Sequence, residues 1–204
     1  MIRFRDLRRE TVEVAAAVTA ALDEVLEESR FVGGESVPAF ESEFAAFCGS
    51  AHAVGVSSGT DAITVALLAV GIGPGDEVIT AANTCVPTVL GIVASGATPV
   101  LADVSPATLT LDPESVVSAV GPRTRAIVPV HLYGRRAELE PFLDLQLRVV
   151  EDAAQAHGSA AVAEVAAFSF YPTKNLGALG DAGAVVTPDA GVADRARRLR
   201  AERS

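Results

Sequence analysis

The sequence predicts an α/β fold in three layers, in which a largely parallel sheet is covered by helices on both faces. Short runs rich in β-branched residues alternate along the chain with stretches of helical periodicity, a pattern typical of such sheets. Turn residues separate the two kinds of segment, as in the glycine- and proline-rich stretch 71–76. The composition, with 50% hydrophobic and 21% charged residues, is that of a compact globular domain.

Two helices are predicted first, at 11–28 and 37–47, and strands then alternate with helices. The predicted strands cover residues 53–56, 77–80, 99–102, 126–130, 148–151, 166–170 and 184–187. The helices between them cover residues 61–70, 86–95, 113–120 and 137–143. The final stretch, 190–204, is expected to form an amphipathic helix whose arginines lie on a solvated face, with a nucleic-acid-binding tail as the alternative.

The domain organisation is expected to be simple, because the chain contains no internal repeat and no low-complexity linker. We expect one α/β domain over residues 31–204, preceded by an N-terminal helical arm over residues 1–30. The cysteines Cys48 and Cys85 form no pattern, so reduced thiols are expected rather than a disulfide or a metal site.

Charge and hydropathy exclude two kinds of partner. A net charge of −10 argues against a nucleic-acid surface, and it means that local groups must hold any phosphate. The apolar stretches 62–73 and 86–97 are shorter than the roughly 18 residues that a membrane span needs, so no membrane partner is expected. The N-terminus lacks the apolar core of a signal peptide, and the cytoplasm is therefore the expected location.

The first chemical element is the segment 57–60, Ser-Ser-Gly-Thr, which follows a predicted strand and opens a predicted helix. A helix N-terminus offers unpaired N–H groups and a partial positive charge, so Ser58, Gly59 and Thr60 could cradle a phosphate. The same residues can equally be a helix N-cap. Asp61 would bring negative charge nearby, and it is expected to cap the helix or to point away.

The second element is Glu151-Asp152, where an apolar strand ends in two carboxylates. Open α/β sheets bind ligands at the carboxyl ends of their strands. A carboxylate there could pair with a cationic ring nitrogen, hold a metal or act as a base. The metal is the least attractive choice, because the two carboxylates point to opposite sides of a strand. His157, on a different element, is expected to be a structural hydrogen-bonding residue rather than a ligand.

The third element is Lys174, the one lysine in a chain with fifteen arginines. An arginine-rich composition explains why lysine is scarce, but it does not explain the position between Ser169 and a glycine-rich stretch. Taken in order, the phosphate cradle, the carboxylate and the lysine describe a pyridoxal-phosphate site. Lys174 would form the Schiff base, Asp152 would keep the pyridine nitrogen protonated, and Ser58, Thr60 and Ser169 would bind the phosphate.

A collinear series of motifs extends this pattern over almost the whole chain. It comprises Phe-Val-Gly-Gly at 31–34, Phe-Glu-Ser-Glu-Phe at 40–44, Ser-Gly-Thr-Asp-Ala at 58–62, Gly-Pro-Gly-Asp-Glu-Val-Ile at 73–79, Arg-Thr-Arg-Ala-Ile at 123–127, Val-His-Leu-Tyr-Gly at 130–134, Glu-Asp-Ala-Ala-Gln at 151–155 and the run 169–175. With these motifs the chain resembles the first half of a DegT/DnrJ/StrS-type nucleotide-sugar aminotransferase, a fold type I pyridoxal-phosphate enzyme.

The resemblance implies a fold, a reaction and a partner. The fold is the large domain of a pyridoxal-phosphate transferase, a three-layer α/β/α sandwich with a mostly parallel mixed sheet. The chain is expected to end before the small C-terminal domain. The reaction moves an amino group, usually from glutamate, onto the keto carbon of a nucleotide-linked deoxysugar. A homodimer or a complementing second chain is expected to complete the site.

The resemblance also implies roles for single residues. Lys174 and Asp152 are the catalytic pair, and Gln155 neighbours the phenolic oxygen of the cofactor. Further cofactor contacts are expected from four residues: Ser58, Gly59, Thr60 and Ser169. Cys85 stands where many members place an aromatic ring over the cofactor, so stacking there is weaker or is supplied by another residue. A lysine rather than the dehydratase branch's histidine at 174 favours transamination.

Two alternative functions stay open at the level of sequence. The chain could be a catalytically inactive remnant, or a cofactor-binding subunit that needs a second polypeptide. It could also be another fold type I enzyme, such as a desulfurase or a lyase. The desulfurase or lyase is less favoured, because neither cysteine sits in an obviously mobile loop.

Overall fold

A computed structural model describes residues 6–159 and 164–203 and divides them into two compact units, one up to Phe40 and one from Glu41 onward. The first unit contains α1 (Leu7–Glu28), which ends where Ser29 takes a left-handed conformation with φ of 53°. The second helix, α2 (Ser36–Phe47), runs across the boundary between the units. Of the predicted arm at 1–30, residues 1–5 lie outside the described part of the chain.

The second unit contains a sheet in which seven strands are described. They are β1 (His52–Val56), β2 (Glu77–Ala81), β3 (Thr98–Ala102), β4 (Thr124–Val128), β5 (Arg148–Asp152), β6 (Val165–Ser169) and β7 (Gly183–Thr187). Their order across the sheet is β1-β7-β6-β5-β4-β2-β3. All neighbours are parallel except β7, which runs antiparallel to both β1 and β6. The sheet is therefore mixed and mostly parallel, as the sequence predicts.

Helices connect the strands and cover the sheet. They are α3 (Gly59–Ala69), α4 (Val86–Ala94), α5 (Pro113–Ala119), the short α6 (Glu140–Leu143) and α7 (Ala190–Arg203), with a 3₁₀ turn at Leu132–Gly134. Every strand and every helix predicted from the sequence is present, with ends that differ by a few residues. None of the helices in residues 6–159 and 164–203 is long and apolar enough to cross a membrane.

Strand alternation creates a separate apolar core on each face of the sheet. On one face Val78, Val128 and Val150 pack with the buried residues of α3 and α7. On the other face Ile79, Ile127 and Val149 pack with Val116 of α5 and Phe142 of α6. Adjacent residues of one strand thus serve opposite cores, because successive side chains of a strand point to opposite faces. This is the three-layer α/β/α arrangement predicted from the sequence.

Two details of the helices differ from the predictions. The helix predicted at 137–143 begins only at Glu140, and the N–H of Ala137 donates to the ring of His131. The arginines of α7 do not all lie on a solvated face. Arg195 donates to the carbonyl oxygen of Ala69 at the end of α3, and Arg200 pairs with Glu41.

The strand directions bring the predicted chemical elements to one edge of the sheet. Because β7 is antiparallel to its two neighbours, β1 runs in the same direction as β2, β4, β5 and β6. The carboxyl ends of these strands therefore share one edge. Ser58 follows β1 there, Asp152 ends β5 and Ser169 ends β6. The ligand-binding edge expected of an open α/β sheet is where these residues meet.

Candidate active site

A cavity of about 480 Å³ opens at this edge, within the size range of small-molecule sites. All of the residues predicted for the site line it, namely Ser58, Gly59, Thr60, Cys85, Asp152, Gln155, Ser169 and Lys174. These residues come from loops and element ends that are far apart in sequence. The fold thus brings the predicted cradle, carboxylate and lysine together in one cavity.

The cradle is built by close contact between the start of α3 and the end of β6. Ser58 is the N-cap of α3, and its hydroxyl accepts from the N–H of Asp61 at 3.1 Å, as the N-cap alternative expects. A Cβ added to Gly59 would lie 2.5 Å from the Cβ of Ser169 and 2.8 Å from its hydroxyl oxygen. Only glycine lets the helix start approach Ser169 so closely. The N–H groups of this first turn lie beside the hydroxyl of Ser169, which suits an anion.

The carboxylate of Asp61 does not line the cavity. It accepts a hydrogen bond from the hydroxyl of Ser57 at 3.2 Å. The side chain is thus engaged beside the helix start, outside the lining of the cavity.

Asp152 is the buried carboxylate of the cavity, with 5% of its surface exposed. Its Oδ2 accepts from the hydroxyl of Thr88 at 2.6 Å, and its Oδ1 accepts from the N–H of Ala154 at 3.1 Å. Thr88 in turn lies 2.6 Å from the hydroxyl oxygen of Thr84. Neither threonine was predicted from the sequence as a site residue. The two threonines stand four residues apart across the start of α4, just after the ligand-binding end of β2. This spacing is the sequence feature that could have indicated a role in the site.

Glu151 points to the opposite face of the strand, as alternation requires. Its carboxylate lies 2.8 Å from Nε2 of His131, and both side chains are buried. The other ring nitrogen, Nδ1, accepts from the N–H of Ala137 at 3.1 Å. A neutral His131 must therefore carry its proton on Nε2 and donate it to Glu151. This pair links the loop after β4 to β5 behind Asp152, and the sequence analysis did not identify it.

Gln155 is held with a defined orientation. Its Oε1 accepts from the N–H of Tyr133 at 2.7 Å, so the NH₂ end of the same amide is the donor end. Tyr133 takes a left-handed conformation with φ of 57°, which is rare for a residue with a side chain. The strained turn at Tyr133 thus orients an amide that lines the cavity.

Lys174 lies in the turn that follows β6, where its N–H donates to the carbonyl oxygen of Tyr171 at 2.8 Å. The predicted tight backbone near the lysine is present at Gly177, whose added Cβ would lie 2.7 Å from the carbonyl oxygen of Pro172. Lys174 therefore lines the same cavity as Asp152 and the cradle.

His157 is a structural residue, as expected. Its Nε2 lies 3.0 Å from the carbonyl oxygen of Ser169, and its ring packs against Phe44, Phe168 and Phe170. Burial lowers the pKa of His157, the hydrogen bond to Ser169 partly opposes this, and the charge of Lys174 lowers the pKa further. Within the described residues, no group of three or more His, Cys, Asp or Glu side chains could hold a metal ion.

Taken together, the site suits a ligand with an anionic group at one end and a basic ring nitrogen at the other. The glycine-dependent cradle fits a phosphate, the buried carboxylate fits the nitrogen, and the amine of Lys174 fits a carbonyl carbon. Pyridoxal 5′-phosphate combines these three groups, so the residues present fit it.

Comparison with known proteins identifies relatives of this chain. The chain is 48% identical to the dTDP-3-amino-3,4,6-trideoxy-alpha-D-glucose transaminase of Streptomyces venezuelae, over 98% of this chain and 55% of that protein. The structure of the present chain matches that of DesV from S. venezuelae in complex with a ketimine intermediate. The TM-score is 0.93 at 48% identity, and the match covers 98% of this chain and 57% of that one.

A second solved structure, NtdA from Bacillus subtilis with bound cofactor PMP, matches with a TM-score of 0.89 and 34% identity, over 96% of this chain and 47% of that one. The chain thus spans about half the length of the proteins that it matches. Residues 13–203 match the model of one family. The chain belongs to the DegT/DnrJ/EryC1/StrS aminotransferase family.

Proposed function

We propose that this chain forms the cofactor-binding part of a pyridoxal-phosphate-dependent aminotransferase that transfers the amino group of glutamate to a keto carbon of a nucleotide-linked deoxysugar. The observation that carries the proposal is the meeting of Lys174, buried Asp152 and the cradle in one cavity. The transaminase from S. venezuelae is named for a dTDP-linked amino sugar, which supports this substrate class.

The residues have distinct tasks in holding the cofactor. The first turn of α3 at Gly59 and Thr60, with the hydroxyl of Ser169, would bind the phosphate. Asp152 would hold the ring nitrogen in its protonated form. Ser58 would keep the helix start in place through its capping bond, and Gln155 would donate its amide to the phenolic oxygen. When bound, pyridoxal phosphate supplies an electron-accepting ring that stabilises negative charge on the carbon that loses a proton.

Lys174 has two tasks in this proposal. Its amine would hold the cofactor through the carbonyl carbon, and the incoming amine of the substrate would then release it. The freed Nζ would take the proton from the substrate carbon and return it at the other end of the transfer. General acid–base catalysis of this kind typically contributes about 10²–10⁴-fold to the rate.

Cys85 distinguishes this site from many relatives. The residue is the N-cap of α4 and lines the cavity beside Asp152. A thiol offers less stacking area than the aromatic ring expected at this position. The ring of the cofactor would therefore be held mainly by the carboxylate, the cradle and the lysine.

We also propose that a second copy of the chain, or a complementing chain, completes the site. The outer face of α4 begins one residue after Cys85 and carries Val86, Leu90 and Val93, which are all exposed. The spacing of four and three residues places these side chains on one helix face. A partner seated on this face would lie next to the cavity.

A second candidate is a chain that binds the cofactor but turns nothing over. The chain spans about half the length of each relative that it matches, so turnover by this part alone is a question for experiment. A desulfurase that used Cys48 is disfavoured, because burial raises the pKa of this thiol to about 11 and so leaves little of the nucleophilic thiolate.

A single-turnover experiment distinguishes the aminotransferase from the silent cofactor-binding chain. The chain is loaded with pyridoxal phosphate, glutamate is added without a sugar acceptor, and 2-oxoglutarate is measured against protein. The aminotransferase proposal expects about one 2-oxoglutarate for each bound cofactor. Cofactor binding without 2-oxoglutarate would favour the silent cofactor-binding chain, and the absence of both would contradict the site itself.

A further inference from the structure

A chain of two hydroxyl groups leads from Thr84, in the turn after β2, to Asp152 at the cavity. The carboxylate can only accept, so Thr88 donates to Oδ2 over 2.6 Å. The Thr88 oxygen then accepts from the hydroxyl of Thr84, also over 2.6 Å. The hydrogen bonds therefore run in one direction, from Thr84 to Thr88 to Asp152. Thr88 is 1% exposed, so water does not replace its hydroxyl.

The backbone fixes the positions of both threonines. Thr84 belongs to the turn after β2, where its N–H donates to the carbonyl oxygen of Ala81 at 3.2 Å. Thr88 lies in the first turn of α4, where its N–H donates to the carbonyl oxygen of Cys85 at 3.1 Å. Its partner Asp152 is 64 residues away, at the end of β5. The hydroxyl chain thus ties the start of α4 to the central strand of the site.

We propose that Thr88, supported by Thr84, is a positioning residue that holds the Asp152 carboxylate in one rotamer for the ring nitrogen of the cofactor. This inference rests on the proposed function. With Thr88 on Oδ2 and the N–H of Ala154 on Oδ1, the carboxylate is fixed at both oxygens.

A purely structural role makes a different prediction. If Thr88 only satisfied a buried polar group, its loss would weaken the binding of any ligand that fits the cavity. If it acts through Asp152, its loss weakens only ligands that have a ring nitrogen. Pyridoxal phosphate and its 1-deaza analogue, in which carbon replaces that nitrogen, therefore distinguish the two roles.

The test measures the dissociation constants of both compounds by equilibrium dialysis. Thr88→Val keeps the shape of the side chain and removes the hydroxyl, whereas Thr88→Ser keeps the hydroxyl. Hydrogen bonds to charged groups contribute enough that we expect Thr88→Val to weaken pyridoxal phosphate about ten- to hundredfold. Binding of the 1-deaza analogue should change little, and Thr88→Ser should restore binding. Thr84→Val should give a smaller loss in the same direction.

Thr187→Val is the matched control, because Thr187 is also fully buried and donates to the carbonyl oxygen of Glu164 at the opposite end of β7. It should leave both dissociation constants unchanged. Equal losses for the two compounds in Thr88→Val, with the wild-type chain binding both, would overturn the positioning role and leave the proposed function intact. A wild-type chain that binds neither compound would overturn the proposed function and this inference with it.

Discussion

At the scale of single residues, the site depends on the different environments of two adjacent carboxylates. Asp152 faces the cavity and accepts from Thr88, whereas Glu151 faces the opposite core and pairs with His131. Strand alternation alone separates them. One carboxylate is thereby available to a ligand, while the other holds the loop that follows β4. His131 contributes a second link, because its N–H donates to the carbonyl oxygen of Asp152 at 3.0 Å.

His157 gives a prediction on pH. Burial lowers its pKa in the folded chain, so the folded state favours the neutral ring. The stability from this residue is fully present above the unfolded pKa of about 6.5. It is lost as the pH falls from there through the lower folded pKa. The free energy of unfolding should therefore fall more steeply from pH 7.5 to pH 5 in the wild type than in His157→Gln.

Denaturant unfolding at the two pH values measures this difference. His52→Gln is the control, because it removes a partly exposed ring outside the aromatic cluster of Phe44, Phe168 and Phe170. Equal pH dependence in the wild type and His157→Gln would show that His157 makes no such contribution.

The site residues that could be predicted from the sequence have local chemistry, whereas the one that could not depends on a partner distant in the chain. Gly59, Asp152 and Lys174 stand in motifs whose chemistry is local, so their types and order suggested their roles. Thr88 was missed because a threonine in the first turn of a helix usually has no role beyond the helix itself. Its role depends on a partner 64 residues away, which no local pattern reveals.

At the scale of elements, α3 and α4 pack unusually closely, and this contact supports the cradle. The hydroxyl of Thr64 on α3 donates to the carbonyl oxygen of Gly91 on α4 at 3.1 Å. A Cβ on Gly91 would lie 2.8 Å from Ile63 and 2.9 Å from the carbonyl oxygen of Thr60. The absence of a side chain at position 91 is therefore needed for the position of the cradle.

Gly91→Ala should both destabilise the chain and weaken cofactor binding. Overpacking of this kind typically costs about 1–3 kcal/mol, which exceeds the roughly 0.5–1 kcal/mol that alanine gains over glycine in a helix. Denaturant unfolding and equilibrium dialysis with pyridoxal phosphate measure the two effects. Gly73→Ala is the control, because its nearest contact would be an ordinary 3.6 Å to the carbonyl oxygen of Ser95. Unchanged stability and binding in Gly91→Ala would contradict the close-packing argument.

The order of the strands and helices could be predicted because their apolar periodicities are strong. The helix predicted at 137–143 shows where such patterns fail. Apolar residues Ala137, Leu139 and Phe142 are buried as a helical pattern suggests, but the ring of His131 takes the N–H of Ala137. The sequence pattern thus predicts the burial of these residues but not the start of the helix.

At the scale of the whole molecule, the outer face of α4 is an apolar surface beside the active site. Val86 is 68% exposed, and Leu90 and Val93 are each 52% exposed. Contiguous apolar surface of this kind marks an interaction site or a tendency to aggregate. Self-association through α4 would cover it and would bring a second copy to the edge of the cavity.

We therefore expect the chain to self-associate in a concentration-dependent manner, and Leu90→Lys to shift it toward monomer. Sedimentation velocity over a range of micromolar concentrations measures both. Val117→Lys is the matched control, because Val117 is similarly exposed, at 57% against 52% for Leu90, but lies on α5. A wild-type chain that stays monomeric throughout, or equal effects of the two lysine substitutions, would contradict this assignment of the interface.

The central claim is that Lys174 binds pyridoxal phosphate in the cavity, and the composition of the chain makes it directly testable. The chain is incubated with pyridoxal phosphate, reduced with borohydride and mapped by peptide mass spectrometry. Because Lys174 is the single lysine, the N-terminal amine is the one other amine that could react. We predict a stoichiometric adduct on Lys174 that prior incubation with glutamate prevents. No adduct, or an adduct on the N-terminal amine alone, would contradict the account.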